Sequence, residues 1–596
     1  MTQYHAPLAD IRFALNDVLG AASLFQRLPN FESATPDIVD AVLEEAAKFA
    51  EQVLAPINAS ADLEGCVLDK ATASVRTPKG FKQAYDQFVE GGWPALTIPA
   101  RFGGQELPET IGAIFKEMVD AANLAWSNFP MLSHGASEAL KVHGEPWQQE
   151  AFLKPIIEGR WTGTMCLTEP QCGTDLGLLK TRAEPNADGS FRISGTKIFI
   201  TAGEHDLTEN IVHLVLARLP DAPAGVKGIS LFIVPKFKVG KDGRMGERNS
   251  LAVGSIEHKM GIHASVTCVM NFDGAEGWLI GAANKGLNAM FTMMNTARMA
   301  VGVQGLGLIE RAYQHSLRYA RERLQMRSLS GAKFPDKPAD PLIVHADVRR
   351  MLLTQKAFAE GGRVLALYAY LQQDISTHSS DEAERTRADE LVAFLTPIVK
   401  GLLTDLAQES TYHAVQIFGG HGYIVETGAE QYSRDARITT LYEGTTQIQA
   451  NDLIGRKILQ MGGPGLKHFL VEISAFCQAH TNNPALGEFI APLAIVTKEW
   501  SDLTQEIAKR AKDNVEEIGA TSVDYLFYSG YVALAWCWAR SIAALDQSPQ
   551  SAQFKEAKRH TARFYFTRIL PRIHGHGAAI RAGADTLMAM PESQFG

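Results

Sequence analysis

Apolar residues recur at helical spacing near the start of the chain and again in its second half. Between Ile38 and Val53 they stand three or four residues apart, and Ile111–Leu124 repeats this spacing. From about residue 162 to about residue 272 the period shortens to two, as in Phe191–Thr201 and Ile211–Ala217. Helical spacing returns from about residue 286. The pattern predicts helices, then a β-rich segment, then helices again.

Prolines and glycines mark where the predicted domains end. The loop Ser328–Pro341 contains three prolines, and Met461–Gly465 breaks the helical pattern a second time. Because strands and helices are segregated along the chain, a doubly wound sheet is excluded and an α+β multidomain fold is predicted. We expect an N-terminal helical extension, an N-terminal α domain, a β-barrel-like or sandwich middle domain, a C-terminal four-helix bundle and an appended helical domain, at residues 1–36, 37–158, 159–280, 281–460 and 466–596.

Length and composition narrow the class of protein. A chain of 596 residues is too long for one ordinary hydrophobic core, and 46% apolar with 21% charged residues is close to the globular average. No apolar run approaches the roughly 20 residues that cross a bilayer, so no transmembrane segment is expected. The opening segment Met1–Pro7 shows no secretory signal, and we therefore expect a cytoplasmic protein. The net charge of -9 argues against a protein that coats nucleic acid.

The cysteines do not form a metal-binding pattern. The chain contains six of them, and Cys166 and Cys172 are the only close pair. No second pair of Cys or His follows at the spacing of a zinc site. We expect reduced structural thiols and no bound metal.

The segment Leu441–Gln449 sets one carboxylate, Glu443, between an aromatic residue and a glycine, with two threonines and two glutamines after it. Glycine allows close approach of the backbone to a ligand, and the polar side chains add hydrogen-bond donors. This arrangement is typical of a lone catalytic base beside a cofactor. An ordinary helix start, with Thr445 or Thr446 as the N-cap, accounts for the same residues.

Three other segments fit the same cofactor. In Met165–Asp175 a strand end runs into a turn whose hydroxyls and amides suit a flavin ring and its phosphates. In Lys197–Gly203, Phe199 and Thr201 suit the face and edge of a planar heterocycle, although a core Phe with a satisfied Thr is the alternative. In Gln416–Tyr423, paired glycines allow close contact with a ligand, and they equally fit a helix stop.

Taken in order, these motifs resemble those of the acyl-CoA dehydrogenases. The chain reads Thr-Glu-Pro-x-x-Gly-Thr-Asp from Thr168, Lys-x-Phe-Ile-Thr from Lys197, Gln-x-x-Gly-Gly-x-Gly from Gln416 and Tyr-Glu-Gly-Thr from Tyr442. The resemblance covers approximately residues 38 to 455. With its opening and C-terminal extensions, the chain is similar to the long bacterial subgroup that includes methylmercaptopropionyl-CoA dehydrogenase.

The resemblance implies an FAD enzyme that oxidises a fatty acyl-CoA of medium or long chain to the trans-2-enoyl-CoA. Glu443 falls on the family's base, which removes the α-proton while flavin N5 takes the β-hydride. The backbone amide of the base and a flavin hydroxyl stabilise the thioester carbonyl in that family. Burial among apolar groups is expected to raise the pKa of Glu443 toward neutrality, where a carboxylate is a stronger base.

The resemblance also implies the residues that bind each ligand. The FAD residues are expected to be Met165, Leu167, Thr168, Gly173, Thr174, Phe199, Thr201, Thr445 and Gln447, together with Arg323, Gln416, Gly419 and Gly420, which reach FAD across a subunit interface. The acyl-CoA residues are expected to be Thr174, Ser265, Asn295, Arg298, Tyr442 and Gly444. A homodimer or tetramer is implied.

The chain departs from the family pattern next to Arg323. Where relatives have Phe-Gly, Met326 and Arg327 stand here, and a glutamine often found after the residue equivalent to His345 is Ala346. The contacts between FAD and a second subunit are therefore expected to differ in detail.

Several functions of this fold stay open. Electron-transferring flavoprotein is the expected electron acceptor, whereas an acyl-CoA oxidase passes electrons to oxygen. A thioether substrate, methylmercaptopropionyl-CoA, is an alternative to a fatty acyl-CoA. A DNA-associated flavoprotein of the same fold is a further alternative, although we expect no nucleic-acid partner. This alternative rests on basic residues that recur in the extension at helical spacing, namely Lys555, Lys558, Arg559, Arg563, Arg568 and Arg572.

Overall fold

The protein is described by a computed structural model that covers residues 4–596. Residues 1–3 lie outside the described residues. They are the start of the predicted N-terminal extension and of the opening segment Met1–Pro7. The chain forms two compact units. The first comprises residues 48–107 and 122–300, and the second comprises residues 4–47, 108–121 and 301–596. The predicted α+β organisation is confirmed, whereas the linear domain boundaries stay a prediction.

Helices form where the apolar spacing of the sequence predicts them. In the described part of the chain they are α1 (Leu8–Arg12), α2 (Ala21–Arg27), α3 (Pro36–Lys48), α4 (Asn58–Glu64), α5 (Phe81–Glu90), α6 (Glu109–His143), α7 (Pro146–Gln148), α8 (Lys154–Ile157), α9 (Gly286–Glu322), α10 (Ala346–His378), α11 (Glu382–Phe418), α12 (Ala429–Thr439), α13 (Thr446–Asn451), α14 (Pro464–His480), α15 (Gly487–Arg510), α16 (Glu516–Ala544), α17 (Ala552–Phe564), α18 (Ile573–Ala582) and α19 (Asp585–Met588).

Strands lie almost entirely in the segment with alternating periodicity. They are β1 (Val67–Asp69), β2 (Ser74–Arg76), β3 (Trp161–Cys166), β4 (Arg182–Pro185), β5 (Phe191–Thr201), β6 (Asn210–Arg218), β7 (Ile229–Pro235), β8 (Phe237–Val239), β9 (Met245–Arg248), β10 (Leu251–Ile256) and β11 (Thr267–Ile280). The two runs that predicted strands, at 191–201 and 211–217, coincide with β5 and β6.

The main sheet of the first unit closes on itself. β11 pairs with β5, β5 with β4, and β4 with β6, while β7 pairs with both β6 and β11. This ring bears out the barrel-like middle segment. β10 extends it on β11, and β3 extends it on β6 in parallel register, from Trp161 opposite Asn210 to Cys166 opposite Val215.

The core of the first unit lies between the sheet and its helices. Leu214, Leu231 and Ile233 from the sheet pack in one apolar cluster with Leu140 of α6 and Met290 of α9. Asn123 interrupts α6 with extended dihedral angles, and its Oδ1 accepts a hydrogen bond from the amide of Trp126 at 3.1 Å. Asn123 therefore begins a new helical segment, which supplies one wall of this core.

In the second unit the appended helices share a core with the bundle. α10 packs against α11, and α16 packs against both. The rings of Tyr368 on α10 and Trp536 on α16 lie 4.9 Å apart, and those of Phe394 on α11 and Trp500 on α15 lie 6.0 Å apart. The helices after residue 464 are thus part of this compact unit.

A buried cluster of charges ties the opening helix to this core. Arg363 of α10 has no exposed surface and forms ion pairs with Asp10, Glu117 and Glu310, the last at 2.8 Å. Asp10 also pairs with Lys558 of α17. Burial alone would raise the pKa of Asp10, but Lys558 and Arg363 lower it to about 2. The extension before residue 36 is therefore anchored from two helices.

Candidate active site

The predicted base lies on a tight turn before α13. Glu443 has a φ of 55° and Gly444 a φ of 91°, so two successive residues adopt the left-handed conformation. That conformation suits Gly444 and is uncommon for glutamate. The hydroxyl of Thr445 accepts a hydrogen bond from the amide of Ile448 at 3.4 Å, so the predicted N-cap is confirmed at Thr445. The same residues form a helix start and present the carboxylate.

Side chains from three directions fix this turn. Gln449 of α13 donates to the carbonyl oxygen of Glu443 at 3.0 Å, and Lys400 of α11 donates to that of Gly444 at 2.7 Å. The Tyr442 hydroxyl donates to Gln304 of α9. Burial, with the nearby carboxylates of Asp120 and Glu443, raises the pKa of the Tyr442 phenol, which therefore stays neutral. Tyr442 and Gly444 thus border the base, and their contact with acyl-CoA stays a prediction.

In the first unit, a buried ion pair joins the motif that begins at Thr168 to the motif that begins at Lys197. Glu169 follows Thr168 beyond the end of β3, and its Oε1 lies 2.9 Å from the Nζ of Lys197 on β5. Lys197 also donates to the carbonyl oxygen of Leu167 at 3.0 Å. The amide of Ile198 donates to the carbonyl oxygen of Thr168 at 2.9 Å. The two motifs therefore form one structural element.

Glu169 also shapes the turn that follows it. Its carboxylate accepts hydrogen bonds from the amides of Lys180 and Thr181, at 2.8 and 3.0 Å, and from the Thr181 hydroxyl. Its backbone pairs with that of Cys172 in both directions. The loop from 169 to 181, which carries Gly173 and Thr174, is thus held closed at both ends.

The predicted flavin residues of the first unit lie around this element. Phe199 is 61% exposed, with a φ of 57°, so the alternative of a core Phe is wrong. Thr174 and Gly173 are exposed, and among residues 4–596 no acceptor bonds their amides. The others are half-buried: Met165, Leu167, Thr168 and Thr201.

These residues have the chemistry that a flavin nucleotide needs. Free amides and threonine hydroxyls donate to phosphate oxygens and to the polar edge of a ring, and an exposed aromatic side chain covers a ring face. The residues therefore fit FAD. Their individual contacts with it stay predictions.

The predicted residues of the subunit interface are exposed in the second unit. Gln416 lies in the last turn of α11, which ends at Phe418, and Gly419 follows with a φ of 60°. The helix-stop interpretation of the glycine pair is therefore confirmed, while the role of Gln416, Gly419 and Gly420 in binding FAD stays a prediction. Arg323 lies exposed just beyond α9.

In the loop after Arg323, Arg327 makes contacts within the loop itself. Asp340 is buried and accepts hydrogen bonds from the amides of Ser328, Lys333 and Phe334 at 2.8 to 3.1 Å. Arg327 lies 3.4 Å from the same carboxylate and donates to the carbonyl oxygen of Phe334 at 3.0 Å. Arg327 and Asp340 thus stabilise this loop from within.

The predicted acyl-CoA residues of the first unit differ in their exposure. Asn295 is exposed, whereas Arg298 is 7% exposed. Ser265 is fully buried, and its hydroxyl accepts a hydrogen bond from Asn128 at 3.2 Å. The Ser265 hydroxyl is already used inside the unit, and its contact with CoA stays a prediction.

Most of the basic residues of the extension have acidic partners. Lys558 is buried against Asp10 and Glu360, and Arg559 lies 3.3 Å from Asp546. Arg563 pairs with Glu488 at 3.0 Å, and Arg572 pairs with Glu409 through two hydrogen bonds. This pairing within the unit neutralises the charge that favoured a DNA-binding face.

Five of the six cysteines are buried, and Cys66 is partly buried. All six cysteines are free thiols, and burial raises the pKa of Cys166 and of Cys537 to about 12. These thiols are unreactive at neutral pH. Within the described residues, no helix is both long and apolar enough to span a membrane.

Sequence reasoning missed the residues that support the predicted site. Glu169 and Lys197 stand inside recognised motifs, and their opposite charges next to apolar strand residues were the available signal. Lys400 and Asp340 gave no comparable signal, since their partners depend on how distant segments pack. Lys400 lies 44 residues before Gly444 in the sequence.

Comparison with known proteins gives a consistent assignment along the whole chain. Models of the N-terminal, middle and C-terminal domains of acyl-CoA dehydrogenases match residues 37–160, 164–275 and 284–459, respectively. A model described as "Acetyl-CoA dehydrogenase C-terminal like" matches residues 469–591.

Two relatives align with the chain over nearly the full length of both proteins. The chain is 43% identical to 3-methylmercaptopropionyl-CoA dehydrogenase of Ruegeria pomeroyi, over 98% of this chain and 99% of that protein. It is 34% identical to a broad-specificity linear acyl-CoA dehydrogenase of Mycobacterium tuberculosis, over 100% of both. A solved acyl-CoA dehydrogenase of Bacillus anthracis, complexed with FAD, shares the fold, with a TM-score of 0.73 at 18% identity over 96% of this chain and 91% of that one.

These matches confirm the predicted enzyme class and cofactor. Acyl-CoA dehydrogenases are FAD-dependent oxidoreductases that act on a CH–CH group of an acyl-CoA. On its domain content and its full-length relatives, the chain belongs to the acyl-CoA dehydrogenase family.

Proposed function

We propose that this chain oxidises the α,β-bond of an acyl-CoA to the trans-2-enoyl-CoA, with Glu443 as the base. The observation that carries the proposal is the turn at Glu443, whose left-handed backbone is held by Lys400 and Gln449. A turn with a fixed backbone limits the directions that the Glu443 side chain can take, which lowers the entropic cost of the reaction.

The steps assigned to the protein are few. The Glu443 carboxylate removes the α-proton of the thioester, and the backbone amide of Glu443 stabilises the negative charge that develops on the carbonyl oxygen. FAD, when bound, accepts the β-hydride. Phe199 would cover a face of the flavin ring, and Thr168, Thr174 and Thr201 would donate hydrogen bonds to its edge and phosphates.

The relatives support two substrate classes. The relative at 43% identity is named for 3-methylmercaptopropionyl-CoA, a thioether, and this substrate is our first candidate. The relative at 34% identity is named for linear acyl-CoA, which supports a linear fatty acyl-CoA as the second candidate. The medium or long chain length is our prediction from the sequence.

The electron acceptor is part of the proposal. We assign electron-transferring flavoprotein as the electron acceptor. We also propose a homodimer or tetramer, in which FAD of one subunit is contacted by four residues of another: Arg323, Gln416, Gly419 and Gly420. An oxidase would form peroxide in air, whereas the proposed dehydrogenase reduces a dye or the flavoprotein without forming it.

The test compares purified wild type and Glu443→Gln. Each is mixed with 3-methylmercaptopropionyl-CoA, butyryl-CoA, octanoyl-CoA or palmitoyl-CoA in the presence of a dye acceptor. The wild type should bleach its flavin with at least one thioester, and Glu443→Gln should keep yellow FAD and bind the thioester without bleaching. Bleaching of Glu443→Gln at the wild-type rate would contradict the assignment of the base.

A further inference from the structure

A buried lysine approaches the backbone immediately after the proposed base. Lys400 lies in the middle of α11 and has no exposed surface. Its Nζ donates to the carbonyl oxygen of Gly444 at 2.7 Å. Removing an ammonium group from water is costly unless strong partners replace its hydration. The short hydrogen bond to Gly444 is one such partner, so the lysine and the turn depend on one another.

The same helix contacts the turn at a second point. Asp405, just over one helical turn after Lys400, accepts a hydrogen bond from the Thr446 hydroxyl at 2.6 Å. Burial raises the pKa of Asp405, although the hydrogen bond from Thr446 and the charge of Lys400 oppose the rise. From the opposite side, Gln449 donates to the carbonyl oxygen of Glu443 at 3.0 Å. The two peptide groups that follow Glu443 in the chain therefore both have side-chain partners.

The turn needs such partners because its backbone is strained. Glu443 has a φ of 55°, a conformation that costs free energy for any residue with a Cβ atom. Gly444 tolerates its φ of 91°, but a Cβ there would lie 2.7 Å from the Gln449 side chain. Without external hydrogen bonds, Glu443 would relax toward a more common conformation and its side chain would change direction.

We propose that Lys400 is a positioning residue for the base. By holding the Gly444 carbonyl, it keeps Glu443 in the left-handed conformation that directs the carboxylate. This inference rests on the proposed function of Glu443 and extends it to a residue that does not touch the substrate. It predicts that the loss of Lys400 slows proton removal more than it weakens substrate binding.

The test uses Lys400→Met, which keeps the length of the side chain and removes its charge and its donor. Gln408→Leu is the matched control, because Gln408 lies on the same helix and donates to the carbonyl oxygen of Ala436 at 2.6 Å, away from the turn. Both variants are assayed as FAD-loaded full-length protein, with the thioester that the wild type oxidises fastest. The readouts are kcat per bound FAD, KM, and the isotope effect of α-deuterated substrate.

We expect kcat of Lys400→Met to fall by about 100-fold, the effect of displacing a catalytic group by roughly 1 Å. KM and FAD content should stay unchanged, and the isotope effect should rise because proton removal limits the rate. Gln408→Leu should keep the wild-type kcat and isotope effect. A general loss of structure would instead lower the FAD content and leave kcat per bound FAD unchanged.

The outcomes separate this inference from the proposed function. If Glu443→Gln is inactive and Lys400→Met keeps the wild-type kcat per bound FAD, the role of Lys400 is overturned and the base stands. If Glu443→Gln is fully active, the proposed function fails for its own reason. Should Lys400→Met not fold, Lys400→Gln takes its place, because its side chain is shorter and carries no charge, and an unchanged kcat per bound FAD in that variant overturns the inference.

Discussion

Glu169 and Lys197 form a buried ion pair, with 2.9 Å between Oε1 and Nζ, that joins the loop after β3 to the middle of β5. Neither side chain is more than 3% exposed. The pair connects the segment that carries Thr168 and Thr174 to the strand that carries Phe199 and Thr201. The predicted flavin residues of the first unit therefore depend on two charges that do not themselves face the ligand.

Replacing Glu169 by glutamine should destabilise the protein, because Lys197 would remain buried without a negative partner. Breaking a buried pair in this way typically costs about 3–5 kcal/mol. The control is Glu184→Gln, since Glu184 forms an exposed pair with Arg192 in the same sheet at 3.0 Å. The control should cost less than about 1 kcal/mol. Denaturant midpoints and FAD content would measure both, and equal losses in the two variants would show that the buried pair has no special role.

The contribution of Glu169 should depend on pH. Burial alone would raise its pKa, but Lys197, the Thr181 hydroxyl and the Lys180 amide lower it to about 2 from an ordinary 4.5. A depressed pKa in the folded state adds stability that is complete above the ordinary value and is lost as the pH falls toward the folded value. The difference in stability between wild type and Glu169→Gln should therefore shrink as the pH falls from about 5 toward 2. A difference that grows on acidification would contradict this.

The sequence could predict features that depend on local pattern. The alternation in 191–201 coincides with β5, and the hydroxyl of Thr445 caps α13 as its spacing indicated. The long segment around Tyr525 and Trp536 is apolar on all sides, which is typical of a helix buried in a core. Its position against α10 and α11 is what merges the appended helices with the bundle.

Features that depend on distant partners could not be predicted from the sequence. Lys558 is one of the basic residues that recur at helical spacing in the extension, yet it lies buried against Asp10, more than 500 residues earlier in the chain. Whether a charged residue is exposed or buried depends on which distant segments of the chain pack against it. A single sequence gives no information on such a pair, and the same holds for Lys400 and Gly444.

Replacing Arg363 should lower the free energy of unfolding of the second unit more than replacing an exposed arginine does. Arg363→Met leaves Asp10, Glu117 and Glu310 buried without their shared cation, and a loss of about 3–5 kcal/mol is expected. Arg563→Met is the control, because Arg563 and Glu488 are both about half exposed. Its effect should be below about 1 kcal/mol.

The Arg363→Met variant should also recover stability on mild acidification. Burial raises the pKa of Glu117, and without Arg363 nothing opposes that rise as strongly; such a group favours folding as a proton binds to it. The gap in denaturant midpoint between the variant and the wild type should therefore narrow as the pH falls from 7 to about 5. A gap that stays constant over this range would show that the carboxylates find other partners.

Phe199 offers a test that separates cofactor binding from folding. Its side chain is 61% exposed in the protein, so Phe199→Ala should barely change the stability of the FAD-free form. Stacking of an aromatic side chain on a planar heterocycle is worth about 1–3 kcal/mol, and its loss should weaken FAD binding roughly 10- to 100-fold. Phe191→Ala is the matched control, because Phe191 begins the same strand and packs on Phe232 with ring centroids 5.1 Å apart. The control should lose stability without a specific loss of FAD affinity. FAD titration and thermal unfolding of the FAD-free proteins would distinguish the two, and equal FAD affinity in Phe199→Ala and wild type would remove Phe199 from the flavin site.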